Sequence, residues 1–138
     1  MNSRYMLDTD MCIFIARNRP PTVRARFHEM ESGDVVISAI THGELSYGAA
    51  KSDPSRGDRQ KLDRVIMRIP VAPLDAKTSS IYGTLRADLE RKGNIIGNHD
   101  LWIGAHALSL GLILVTNNER EFKRVPSLSI ENWLREVL

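Results

Sequence analysis

Three short runs of this 138-residue chain are apolar without interruption: Tyr5-Met6-Leu7, Val35-Val36-Ile37 and Leu112-Ile113-Leu114-Val115. A strand with one face in water alternates apolar and polar residues, whereas a strand covered on both faces need not. Helical patterns lie between these runs. Val23, Phe27 and Met30 share one face, Leu62, Val65, Ile66 and Ile69 another, and Ile81, Leu85 and Leu89 recur every four residues. Strands buried on both faces and alternating with helices predict an α/β/α sandwich with a central, mostly parallel sheet. Val71-Ala72 and Leu128-Ser129-Ile130 are weaker strand candidates and bring the expected sheet to four or five strands. Polar punctuation fits this order. Asp10, Asp53-Pro54, Asp75 and Asn98 are expected helix starts, and Gly33-Asp34, Gly93-Asn94 and Gly111 are expected turns or helix ends.

The length predicts one domain over residues 1–138, and no internal repeat or long linker divides it. Hydrophobic residues make up 42% and charged residues 26%, as in an ordinary globular domain. No apolar run approaches the roughly 18 residues of a membrane span. The run Met11–Ala16 follows two acids and lacks a cleavage-like site, so it does not read as a signal peptide. A single cysteine, Cys12, excludes an internal disulfide framework and a thiolate zinc cage, and cytoplasmic location is the expectation. The net charge of +2 selects no partner. Arg17, Arg19, Arg24 and Arg26 lie within ten residues without an acid, which reads either as a solvated face or as an edge that touches phosphates.

Ligands of open parallel sheets bind beyond the carboxyl ends of the strands. Asp8 and Asp10 follow the first run, Glu44 falls early in the helix after the second, and Thr116, Asn117, Asn118, Glu119 and Glu121 follow the third, Leu112–Val115. Asp100 begins the helix that leads into the fourth strand. Two carboxylates about 4 Å apart repel by on the order of 4 kcal/mol at an effective dielectric near 20. Several in one pocket need a counter-charge, and Lys123 is the one lysine close to these positions in sequence. A hard divalent cation, Mg²⁺ or Mn²⁺, answers that need and polarises phosphate esters. Each acid also has a plainer reading: Asp10 and Asp100 as helix caps, Glu44 as a surface residue, Glu119 as solvent-facing. The histidines 28, 42, 99 and 106 show no metal-ligand spacing and read as structural or surface residues. Cys12, Trp102 and Trp133 read as packing residues.

At these positions the sequence resembles the PIN-domain nucleases. Met6-Leu7-Asp8-Thr9-Asp10, Ile37–Leu45, Ile96–Ala107 and Val115–Phe122 are similar to the family's four motifs, in order. The nearest resemblance is to VapC toxins of bacterial type II toxin–antitoxin modules. It implies a Mg²⁺-dependent endoribonuclease, with Mn²⁺ as a substitute, inhibited by a VapB-type antitoxin. Asp8, Glu44, Asp100 and Glu121 would be its catalytic acids, with Asp8 and Asp100 as principal metal ligands. Thr116, Asn117 and Asn118 would support the site, although Asn118 stands where many relatives carry aspartate. Metal-activated water would attack an RNA phosphodiester and leave a 5′-phosphate and a 3′-hydroxyl. Enteric-type relatives point to initiator tRNA as substrate and to a homodimer within a toxin–antitoxin complex. Arg17, Arg19, Arg24 and Arg26 would then hold the RNA backbone.

Two other readings start from the same residues. Leu7-Asp8-Thr9-Asp10 also opens haloacid-dehalogenase-type phosphatases, but Thr-Asn-Asn follows Val115 where they need paired aspartates. A non-catalytic module of the PIN fold, binding RNA or a protein partner, draws its support from Asn118.

Overall fold

The computed structural model describes residues 3–53 and 57–135. Five strands form one sheet in the order β3-β2-β1-β4-β5, and every neighbouring pair is parallel. The strands are β1 (Tyr5–Leu7), β2 (Val35–Ser38), β3 (Val71–Ala72), β4 (Ile113–Val115) and β5 (Ile130–Glu131). The helices are α1 (Thr9–Arg17), α2 (Pro21–His28), α3 (Ala39–Lys51), α4 (Asp58–Arg68), α5 (Ala76–Arg91), α6 (Asn98–Leu110) and the single turn α7 (Glu119–Phe122).

The apolar runs serve both faces, as their lack of alternation requires. Tyr5, Leu7, Val35, Ile37 and Val115 point into one core with Met11, Cys12 and Ile15 of α1 and Val65 of α4. Met6, Val36 and Leu114 point into the other, against Leu85 and Leu89 of α5 and Ile103 and Ala107 of α6. Register locks the middle of the sheet: Leu7 lies opposite Ile37 on one side and Val115 on the other. A slip of one residue would exchange the two cores. The fully buried Trp133 closes the first core from the C-terminal side, its ring edge-on to Tyr5 at 5.5 Å between centroids.

Several expected helix starts are displaced. Asp8, not Asp10, is the N-cap of α1, because its carboxylate accepts the Met11 amide while Asp10 lies in the first helical turn. Asp75 caps α5 as expected. Asn98 is already inside α6, and Gly97 precedes it without a side-chain cap. The helix expected from Asp53-Pro54 begins at Asp58, after Gly57 with φ of 72°; Pro54 lies outside the described residues. Gly111 ends α6 with φ of 67°, a conformation in which a Cβ is strained. Among the described residues no helix is long and apolar enough to cross a membrane.

Candidate active site

From β1 the chain steps outward to β2 and β3, then returns to the other side of β1 for β4 and β5. The switch point of the sheet is therefore between β1 and β4, the position at which open parallel sheets have their ligand crevice beyond the strand ends. Asp8 leaves β1 there and Thr116 leaves β4 there. The Asp8 amide donates to the Val115 carbonyl at 3.0 Å, and the Thr116 hydroxyl bonds the Asp8 carboxylate. Asp8 is 5% exposed. Burial pushes its pKa up to about 7, the nearby Asp10 and Asp100 push in the same direction, and the bonds from Thr116 and Met11 oppose.

Asp100 reaches the same crevice from the first turn of α6. Asn118 donates its side-chain amide to Asp100 Oδ2 at 3.2 Å and to Glu121 Oε2 at 2.9 Å. Asn118 is itself held by its backbone amide, which donates to Thr116 Oγ1 at 2.9 Å. Burial, then a hydrogen bond and repulsion from Glu121, push the Asp100 pKa up to about 6, with Glu44 adding to the effect. Asn118 thus bridges two acids rather than replacing one, and Glu121 stands beside Asp100 as a further acid.

Glu44 completes the group from α3. Its carboxylate accepts from Thr9 Oγ1 at 2.6 Å and from His99 Nδ1 at 3.1 Å. From the sequence, Thr9 is passed over and His99 reads as a structural or surface residue, although each adjoins a candidate acid. Successive helical residues diverge by about 100°, so nothing local places His99 on Glu44.

The structure therefore brings Asp8, Glu44, Asp100 and Glu121 from four distant segments to one crevice, with Thr116 and Asn118 between them. Asn117 does not enter it: it is exposed and accepts from Asn132 at 3.0 Å. Glu119, expected to face solvent, is instead half-buried and accepts from Asn132 and Arg135. Among the histidines, His106 is buried with Nδ1 2.8 Å from Ser38 Oγ, and burial holds its pKa below the usual value. Cys12 is fully buried, which raises its thiol pKa and leaves it unreactive. Trp102 stacks on Tyr82 at 3.7 Å.

Among the described residues, Asp8, Asp100 and Glu121 form no ion pair with a lysine or arginine. As their side chains stand, no three His, Cys, Asp or Glu groups there are arranged to hold a metal ion. Their oxygens are instead turned to Met11, Thr116, Asn118, Thr9 and His99.

These raised pKa values carry a signed consequence. Between the unfolded carboxyl value near 4 and the folded values of about 7 and 6, the folded chain holds more protons than the unfolded chain. The stability from protonated Asp8 and Asp100 is fully present below pH 4 and is lost as pH rises through 6 and 7. In EDTA, urea unfolding should show that contribution falling from pH 5 to pH 8. The fall should shrink in Asp8→Asn; an equal fall in that variant would remove Asp8 as its source.

A model of the PIN domain matches residues 5–128. The chain is 43% identical over 130 residues to the tRNA(fMet)-specific endonuclease VapC of Shigella flexneri, covering 94% of this chain and 98% of that one. It is 41% identical to Ribonuclease VapC2 of Rickettsia felis, covering 94% and 97%. The chain belongs to the PIN-domain family, as one of its VapC ribonucleases. A DNA-bound VapBC structure from Salmonella typhimurium superposes with a TM-score of 0.87 at 41% identity, over 95% of this chain and 98% of that one. The five-stranded parallel sheet is thus the PIN fold. Membership in this family also sets aside the phosphatase reading of Asp8 and Asp10.

Proposed function

We propose that this VapC ribonuclease is a Mg²⁺-dependent endoribonuclease whose acids are Asp8, Glu44, Asp100 and Glu121, and whose substrate is initiator tRNA. The observation that carries the reading is four carboxylates meeting at the sheet's switch point without, among the described residues, an ion pair to a lysine or arginine. The donor set is carboxylate oxygen, which suits Mg²⁺ or Mn²⁺ and not a soft metal. The raised pKa values of Asp8 and Asp100, set first by burial and then by neighbouring acids, mark carboxylates that are costly to ionise without a bound cation. Asp8 and Asp100 would hold the metal, with Glu121 beside Asp100. When bound, Mg²⁺ supplies polarisation of the scissile phosphate and a lowered pKa for water.

The chain's own groups do the rest. Thr116 and the Met11 amide hold the Asp8 carboxylate in place at the head of α1. Asn118 holds Asp100 and Glu121 side by side. Glu44, fixed by Thr9 and His99, is the acceptor that orients the attacking water. In-line attack then leaves a 5′-phosphate and a 3′-hydroxyl.

The substrate reading draws on the Shigella relative, whose name specifies tRNA(fMet). The partner reading draws on the VapBC complexes of Rickettsia felis and Salmonella typhimurium, both of them bound to DNA. By the same likeness this chain pairs with a VapB-type antitoxin.

The test is cleavage of purified total tRNA in Mg²⁺, Mn²⁺ or EDTA by the wild type, Asp100→Asn and Glu44→Gln. Discrete cuts are expected only with metal, and Asp100→Asn should slow them about a thousandfold, equivalent to roughly 4 kcal/mol of barrier. Metal-independent cleavage, or cleavage unchanged in Asp100→Asn, would overturn the assignment.

A further inference from the structure

The acid cluster creates a binding problem, because carboxylates repel the polyanion they are to cut. Affinity for RNA has to come from cations placed elsewhere, and the structure gathers them from three helices. Lys61, Arg64 and Arg68 fall at i, i+3 and i+7 of α4, on one stripe of that helix. They line a cavity of about 490 Å³ together with Arg17 from the end of α1 and Arg24 of α2, and no acid lines it. Its floor is apolar, from Ile15 and Val65.

None of these five cations forms an ion pair among the described residues, and Arg68 also lies over the Phe27 ring at 5.7 Å. By contrast, Arg26 is turned away: it bonds Glu131 at 3.2 Å and lies over the Trp133 ring at 5.3 Å. Arg19, exposed, does not line the cavity. The sequence cluster Arg17–Arg26 is thus divided by the fold, and two of its members join cations some forty residues further on.

Arg17 and Lys61 also line a second groove, of about 960 Å³, which they share with Thr9, Glu44 and His99 and with two further acids, Asp53 and Asp58. The two cavities therefore make one path from the basic patch to the acids. We infer that Arg17, Arg24, Lys61, Arg64 and Arg68 form a phosphate-binding track that holds the RNA backbone to one side of the scissile bond. This inference rests on the ribonuclease reading above. Unpaired cations over an apolar floor suit a backbone of regularly spaced phosphates, which fixes position without reading sequence.

The experiment compares the triple variant Arg24→Ala/Arg64→Ala/Arg68→Ala with the parent, both carrying Asp8→Asn so that RNA is bound and not cut. Affinity for fluorescently labelled tRNA is measured by anisotropy across a salt series. Each phosphate contact contributes roughly 0.7 to 0.9 to the slope of log affinity against log salt. The triple variant should bind at least about tenfold more weakly near 0.15 M salt, with a slope shallower by about 2. Lys77→Ala/Lys92→Ala, on α5 and at its end, should change neither. Arg64 is exposed, so Arg64→Ala alone should shift the slope by nearly 1 if the triple variant fails to fold.

Unchanged affinity and slope in the triple variant would overturn the track while wild-type cleavage of tRNA stands. Unchanged RNA binding with lost binding of a poly-glutamate peptide would overturn it in favour of an acidic polypeptide. Absence of metal-dependent cleavage by the wild type would instead fail the ribonuclease reading beneath it.

Discussion

Asp8→Asn is expected to abolish RNA cleavage and, at the same time, to make the metal-free protein more stable. Asp8 does two jobs with one carboxylate. As the N-cap of α1 it accepts the Met11 amide at 2.9 Å, and asparagine caps a helix about as well. As an acid at the switch point it is ionised at a cost, because it is 5% exposed and its pKa is pushed up to about 7. A three-unit shift corresponds to at most about 4 kcal/mol against the charged form. Asparagine removes that cost and keeps the cap, so a gain on the order of 2 kcal/mol is expected at pH 8 in EDTA. For a chain of this size that is a rise in Tm of roughly 5 °C or more. Cleavage should fall by about a thousandfold or more, since the removed charge is one of those proposed to hold the metal. Scanning calorimetry in EDTA and the tRNA assay in Mg²⁺ read the two effects separately. An inactive variant that is also destabilised would show that Asp8 supports the fold more than it strains it.

Trp133→Ala should be the most damaging single truncation outside the site. The side chain is fully buried, stands edge-on to Tyr5, receives Arg26 on its face and donates from Nε1 to Glu131 at 3.1 Å. Replacement by alanine loses the buried ring area and leaves a cavity under β1, at a cost of about 3–5 kcal/mol. Tm should drop by roughly 10 °C or more. The loss also reaches the site: Trp133 anchors the segment that includes β5, and the Glu131 carbonyl accepts the Thr116 amide at 2.9 Å. Cleavage should therefore fall with temperature earlier than in the wild type and recover on cooling. Denaturant titration gives the magnitude, and a loss under about 1 kcal/mol would mean that the C-terminal segment does not seal this core.

Most of the local architecture was legible in the chain. The uninterrupted apolar runs became the buried strands β1, β2 and β4, because only a sheet covered on both faces accommodates them. The stripe Leu62, Val65, Ile66 and Ile69 faces the first core as read. Where the reading slipped, competing local signals were at work. Asp8 and Asp10 both suit a cap, and the choice fell to Asp8 because β1 ends one residue before it.

Asp8, Glu44, Asp100 and Glu121 could be named from the sequence as candidate acids, the last of them only through the family resemblance. Their meeting could not be read there, because it depends on strand order. Asp8 and Thr116 are neighbours only because β4 inserts beside β1, a pairing across more than a hundred residues that no local pattern encodes. The same non-locality gave Glu44 its partners Thr9 and His99, made Asn118 a bridge between Asp100 and Glu121, and sent Arg26 to Glu131 while Arg24 joined the cations of α4. The order of residues along the chain set which groups were available and which segments carried them. Tertiary structure alone decided which of them touch, since side-chain charge and periodicity act over one or two turns whereas the sheet joins residues far apart in the chain.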